Sequence, residues 1–283
     1  MPHTLRDALT AAVPLLQAAG VETPQLDAQL LLAHVLGRDR TYLYAHLHDA
    51  LPDELQQAFE TLVRRRTARE PLPYLLGRWE WMGMSFRVTP AVLIPRPETE
   101  VLVEAVAERL PQDARVLDVG AGSGCISIGL ARLLAEARIT ALERSVDAAD
   151  VARENAEALG VGAQVSVVRG SFPEDAPAGP LDAVVSNPPY IPSDDVDRLP
   201  PELRCHEPRG ALDGGPDGLH LLRALASESP ALLRDGGLLA VEVAQGQAER
   251  VTELLRAEGQ WEEPESVRDL SGIARVVLAR KGR

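Results

Sequence analysis

The residues whose types and order point most directly to chemistry are Ser186-Asn187-Pro188-Pro189-Tyr190. They follow a short apolar run, Leu181 to Val185, that reads as a buried strand. Proline fixes φ and has no N–H. A residue before proline, such as Asn187, is kept out of the helical region. The stretch therefore forms a stiff notch rich in acceptors, the Asn187 side-chain oxygen and nearby main-chain carbonyls such as that of Pro188, with Tyr190 as a flat wall. Such a notch suits a planar –NH2 group, which has two protons to donate. The expectation is that an amide or amine nitrogen is held here while a group is transferred to it.

A second constellation suggests the donor. Gly120-Ala121-Gly122-Ser123-Gly124 follows the strand-like run Arg115 to Val119 and precedes a helical pattern. Glycines at a strand-to-helix turn let the backbone approach a ligand closely. Glu143 ends the next strand, nineteen residues beyond Gly124, where a carboxylate can accept both hydroxyls of a ribose. The spacing fails the dinucleotide pattern G-x-G-x-x-G: the sixth position is Cys125 counted from Gly120 and Ser127 counted from Gly122. A nucleoside without a pyrophosphate is favoured, and S-adenosyl-L-methionine fits, its amino acid moiety lying along the glycine loop. Phe172 has two open readings, a core aromatic or a wall against the adenine.

These residues need a scaffold that puts them at successive strand ends. From residue 114 strands and helices alternate: strands at Arg138 to Leu142, Val165 to Val168, Leu181 to Val185 and Gly237 to Val243 follow the first, and a C-terminal pair is placed around Ser266-Val267 and Ala274 to Leu278. Alternation of this kind predicts a parallel, doubly wound α/β sheet with helices on both faces, and such sheets bind ligands beyond the carboxyl ends of their strands. Gly120, Glu143, Phe172 and Asn187 are expected to line one crevice. Upstream, helical periodicity covers 4–19, a helix opening at Thr23-Pro24, one from Thr41 to Leu47 and one from Asp53 to about Arg69. Thr23 is expected to cap its helix and Pro14 to kink or split the first one. The predicted organisation is a helical domain at 1–70, a β-hairpin linker at 71–95 and the sheet domain at 96–283. The run Arg64-Arg65-Arg66 reads as the solvated end of a helix, with partner docking as the alternative.

Composition narrows the partners. Apolar residues make up 45% of the 283 residues, and net charge is −13. The first 90 residues hold ten acids against nine arginines; the remainder holds 32 acids against 20 bases. An acidic surface repels a phosphate backbone, so no nucleic-acid partner is expected. No apolar run is long enough for a membrane span, the start lacks a signal pattern, and two cysteines make no disulfide framework. A cytoplasmic monomer without a metal site is expected.

The chain resembles the release factor glutamine methyltransferase family, whose members methylate the side-chain amide of the glutamine in the Gly-Gly-Gln motif of class I peptide chain release factors. The resemblance is carried by Pro73 to Gly77, Leu93-Ile94-Pro95-Arg96-Pro97-Glu98-Thr99-Glu100, Val116 to Gly124, Asn187-Pro188-Pro189-Tyr190-Ile191, and Glu207-Pro208 followed by Ala211-Leu212 and Gly214 to Leu219. It implies a Rossmann-like, seven-stranded S-adenosylmethionine-dependent methyltransferase sheet with a small N-terminal helical domain that grips the protein substrate. It also implies that Asn187, Pro188, Pro189 and Tyr190 hold the glutamine, and that Gly120 to Gly124, Glu143, Phe172 and Asn187 hold the cofactor. Glu143 stands where the family usually has aspartate, and Phe172 where relatives often carry tryptophan. The Asn-Pro-Pro-Tyr tetrapeptide alone is shared with enzymes that methylate the exocyclic amine of adenine in nucleic acid; these, and a sister family that acts on a ribosomal-protein glutamine and resembles the Ile94 to Glu100 run less well, are the alternatives.

Overall fold

A computed structural model describes residues 4–283; Met1, Pro2 and His3 of the N-terminal reading lie outside the described residues. The chain divides into two compact units. One holds the residues up to Arg78 together with Pro200–His206, the other Trp79–Leu199 with Glu207–Arg283.

The first unit is helical: α1 (Leu5–Ala18), α2 (Pro24–Leu36), α3 (Arg40–Ala45), α4 (Asp53–Thr67) and α5 (Leu72–Leu76). Thr4 and Asp7 form a capping box at the start of α1. Pro14 lies inside α1 and does not split it. Thr23 occupies the N-cap position of α2 but makes no capping bond; its hydroxyl donates to Asp27 instead, at 2.7 Å. Leu5, Leu9 and Leu16 of α1 share one apolar cluster with Leu31 and Leu32 of α2 and Phe59 and Val63 of α4.

The second unit begins at Trp79, within the hairpin of β1 (Arg78–Trp81) and β2 (Met84–Arg87). The expected hairpin spanned 71–95; the structure instead has α5 before it and no strand over residues 88–97. Trp81 and Phe86 pack in the same cluster as Val103 and Ile128, so the hairpin is part of the sheet unit's core. The remaining elements are α6 (Glu98–Ala107), β3 (Arg115–Val119), α7 (Cys125–Leu133), β4 (Arg138–Glu143), α8 (Val146–Ala158), β5 (Val165–Arg169), β6 (Leu181–Ser186) and α9 (Ser193–Val196). The next helix, α10 (Pro201–His206), clusters with the first unit. Then come α11 (His220–Leu232), β7 (Leu233–Glu242), α12 (Ala248–Glu258), β8 (Glu265–Arg268) and β9 (Ala274–Arg280).

Seven strands form one sheet in the order β5-β4-β3-β6-β7-β9-β8, parallel except for β9, which runs antiparallel to β7 and β8. Strand residues alternate between two apolar clusters. Val116, Ala183, Val185 and Ala240 fall in the cluster containing α6 and α7, while Leu117, Val184, Leu239 and Val241 fall in that of α11 and α12. A period of two with both faces apolar is what a sheet covered on both sides requires. β7 begins four residues before the expected Gly237, with a register irregularity opposite Leu181–Ala183. Strand order reverses at β3, so the loops after β3 and β6 leave adjacent strands at the switch point where such sheets open a crevice. No helix among the described residues is long and apolar enough to cross a membrane.

The arginine run at the end of α4 is not uniformly solvated. Arg64 is exposed, and Arg65 pairs with Glu70. Arg66 is buried and donates to Asp27 at 2.8 Å and to Glu202 of α10 at 3.2 Å. Arg69 holds the same Glu202 through Nε at 2.6 Å and Nη2 at 2.8 Å. The guanidinium groups keep the Glu202 carboxyl below its ordinary range against the opposing effect of burial.

Candidate active site

A crevice of about 370 Å³ opens at the carboxyl ends of β3, β4 and β6, within the size range of small-molecule sites. Gly120, Ala121, Gly122, Ser123, Glu143, Phe172, Asn187 and Pro189 all line it. Gly124, Pro188 and Tyr190 are not among its lining residues.

The glycine loop divides into two jobs. Gly120, Gly122 and Gly124 all have positive φ, at 77°, 57° and 80°, a region costly for other residues. A Cβ on Gly120 would meet nothing within 4 Å, and one on Gly122 only the Gly120 carbonyl at 4.0 Å, so these two leave open wall facing a ligand. A Cβ on Gly124 would come within 3.3 Å of Ala152 of α8 and of Ile128, so this glycine serves helix packing at the start of α7. The loop is tied down at several points: Gly120 N–H donates to Leu142 O at 2.8 Å, and Asn155 of α8 donates to Ser123 O at 2.9 Å.

Glu143 is buried at the end of β4. Its two oxygens accept from Gly122 N–H at 3.0 Å and Ser145 N–H at 2.8 Å. A carboxylate offers about four lone-pair positions, so a vicinal diol finds acceptors left on this group. Phe172 lines the crevice while packing against the α11–α12 cluster. The open backbone at Gly120 and Gly122, the spare acceptors of Glu143 and the apolar Phe172 together match an adenosine linked to an amino acid.

Beneath the loop, Asp118 is fully buried and accepts from Ser127 Oγ at 2.6 Å and Ser127 N–H at 3.1 Å. Desolvation pushes its carboxyl up to about 7, against those two hydrogen bonds. A raised carboxyl pKa means that folding favours the protonated form. Its contribution to stability is therefore full below about pH 4 and is lost as pH rises through about 7. The melting temperature is expected to fall between pH 5 and 8, with Asp118→Asn flattening that slope. The span corresponds to at most ~4 kcal/mol, and an unchanged slope in calorimetry refutes the assignment.

The notch itself is built from distant parts of the chain. Ser186 Oγ donates to Val119 O at 2.7 Å, locking the end of β6 to that of β3. Asn187 Nδ2 donates to Thr99 Oγ1 at 3.2 Å. Thr99, in the first turn of α6, donates in turn to Glu242 Oε2 at 2.7 Å, at the end of β7. Tyr190 OH donates to the other oxygen, Glu242 Oε1, at 3.3 Å. Burial pushes the Tyr190 phenol above its ordinary range, with the Glu242 carboxylate adding to it.

The Ile94 to Glu100 run wraps the same region. Trp79 Nε1 donates to Pro95 O at 3.1 Å and Trp81 Nε1 to Arg96 O at 2.8 Å, so the hairpin fixes this loop. Arg96, on the crevice wall, is held by the buried Glu207 carboxylate. On the far side, Gly214 and Gly218 pack on the notch backbone. A Cβ on Gly214 would stand 2.6 Å from Pro189 O, and one on Gly218 2.3 Å from Tyr190 O. Ile191 is held between them by Leu212 O at 3.1 Å and Gly214 N–H at 2.8 Å. Thr99, Arg96, Glu207 and Glu242 were not singled out from the sequence as site residues. The first three sit in motifs that carried the resemblance, and Glu242 ends the apolar stretch Leu238 to Val241, the one local signal it gives.

Comparison with known proteins places this arrangement. A family profile described as PrmC N-terminal domain matches residues 7–77, and one described as Methyltransferase small domain matches residues 97–199. The chain is 45% identical over 278 residues to the release factor glutamine methyltransferase of Moorella thermoacetica, covering 98% of each protein. It is 44% identical over 279 residues to that of Geobacter sulfurreducens, covering 99% of this chain and 97% of the relative. Among solved structures, a methyltransferase from Pyrococcus furiosus superposes with a TM-score of 0.55 at 18% identity, over 71% of this chain and 91% of that one, a likeness of fold.

Proposed function

The chain belongs to the release factor glutamine methyltransferase family, and from that premise we propose that it methylates the glutamine side-chain amide of the Gly-Gly-Gln motif in class I release factors, using S-adenosylmethionine. The observation that carries this reading is the polarity of Asn187. Its Nδ2 is committed to Thr99, so Oδ1 is the end left for a donor in a crevice it shares with the glycine loop and Glu143.

When bound, S-adenosylmethionine supplies the methyl group as an electrophile on sulfur. Glu143 would hold the ribose hydroxyls, the backbone of Gly120 to Ser123 would accommodate the amino acid moiety, and Phe172 would pack against the adenine. An amide nitrogen is a poor nucleophile because its lone pair is delocalised into the carbonyl. Asn187 Oδ1 and the Pro188 carbonyl accept the two N–H protons and aim the nitrogen. As the new carbon–nitrogen bond forms and the carbon–sulfur bond breaks to leave a neutral thioether, these fixed acceptors stabilise the positive charge on nitrogen without reorganising, and the N–H proton made acidic by the new bond is lost to solvent. Orientation for in-line transfer supplies a further share. Tyr190 packs along the glutamine side chain. The helical unit grips the release factor.

Incubation with methyl-labelled S-adenosylmethionine and either a release factor or DNA tests the reading. Label is expected in the glutamine-containing peptide of the release factor. Label in DNA alone establishes the adenine-methylating alternative.

A further inference from the structure

The hydrogen bonds behind the notch have a fixed direction. A threonine hydroxyl has one proton. Thr99 gives that proton to Glu242 Oε2 at 2.7 Å, so towards Asn187 it offers only lone pairs, and the side-chain amide must turn its Nδ2 to it. With Nδ2 so engaged, Oδ1 is the end presented to a substrate. Thr99 and Glu242 are buried, with 1% and 2% of their surfaces exposed, so water does not supply an alternative partner. A protonated Glu242 would reverse the chain: it donates to Thr99, whose freed proton then goes to Asn187 Oδ1, and the amide presents donors to a substrate that itself only donates.

We propose that Glu242 is a positioning residue that sets the polarity of the notch, its ionised carboxylate acting through Thr99 to hold Asn187 Oδ1 towards the substrate amide. The inference rests on the reading of Asn187 above. The groups facing Glu242 are Tyr190 after β6, Thr99 and Glu98 of α6, Arg275 of β9 and Cys125 at the start of α7. Arg275 is shared with Asp269 at 2.9 Å and Glu98 at 3.8 Å, so no cation is dedicated to Glu242. Desolvation pushes its carboxyl up to about 7, opposed by the Thr99 and Tyr190 hydrogen bonds. The polarity switch therefore falls near neutral pH.

The test is kcat against pH with a release factor as substrate, for the unmodified enzyme, Glu242→Gln, Thr99→Val and Thr99→Ser. The unmodified enzyme is expected to gain about tenfold as pH rises through about 7. Glu242→Gln loses this limb because it cannot ionise. Thr99→Val loses about tenfold or more in kcat at pH 8, together with the limb, while its KM for S-adenosylmethionine stays within about twofold. Thr99→Ser, which keeps the hydroxyl, retains both level and limb. A limb that persists in Glu242→Gln overturns the proposal. A flat profile in an active unmodified enzyme overturns it too, as does a Thr99→Ser enzyme as slow as Thr99→Val; the functional reading survives each of these. An unmodified enzyme that labels no release factor removes both.

Discussion

Asn187→Ala is expected to keep S-adenosylmethionine binding, held by the remaining cofactor residues, and to lower kcat for a release factor by about 10²–10³-fold, the usual cost of removing one preset group that stabilises transition-state charge. The cofactor residues argue for the first half. Glu143 is held by Gly122 and Ser145, and the glycine loop by Leu142 and Asn155, none of which depends on Asn187. The second half follows from the acceptor lost: the substrate amide keeps one partner, the Pro188 carbonyl, and loses the one that fixes its rotation. Isothermal titration with the cofactor and single-turnover methyl transfer separate the two. Turnover at the unmodified rate sinks the mechanism.

Arg66→Ala is expected to destabilise the helical unit by about 3–5 kcal/mol, the range for removing one partner of a buried ion pair. Its side chain is 8% exposed and that of Asp27 3%. Removal leaves the Asp27 carboxylate in the apolar interior with one remaining partner among the hydrogen bonds described, the Thr23 hydroxyl at 2.7 Å. Glu202 is hurt less, since Arg69 still grips both of its oxygens. Arg64→Ala is the control. Arg64 is exposed, and its side chain donates to Thr61 at 3.0 Å, so a change within about 0.5 kcal/mol is expected. Urea denaturation of the two variants tests this, and equal midpoints refute it. The same contacts bear on removing residues 1–70: α10 packs with that unit, so the truncation also strips Glu202 of Arg66 and Arg69. Point variants are the sounder probe of how the helical unit serves the substrate.

Most of the sheet was legible because the information is local. Val116, Leu117 and Val119 around Asp118, and Ala183-Val184-Val185, put apolar residues on both faces of their strands, as strands buried on both sides must. Gly120 to Gly124, Glu143 and Asn187 fall just past such strands, so a parallel sheet brings them to one edge whatever the details of packing. Boundaries were less legible where side chains override local pattern. The stretch 71–95 is rich in proline and aromatics and reads as one hairpin, yet Leu72 to Leu76 form a helix, and Trp79 and Trp81 are spent on fixing the Pro95-Arg96 backbone. Gly124 shows the same limit from the other side. Its conformation suits a ligand loop, but its missing Cβ makes room for Ala152.

The sequence by itself determined the class of the fold and that the strand-end residues meet in one crevice, because hydrophobic period and backbone restriction act over a few residues. Tertiary structure alone decided which arginine of the run 64–66 is buried, because Asp27 lies 39 residues away in the chain and a run of like charges does not say which member meets a partner. It alone decided the direction of Asn187 as well. That amide is symmetric in shape, and its two ends are told apart only by Thr99, 88 residues away, whose own proton is claimed by Glu242 a further 143 residues along.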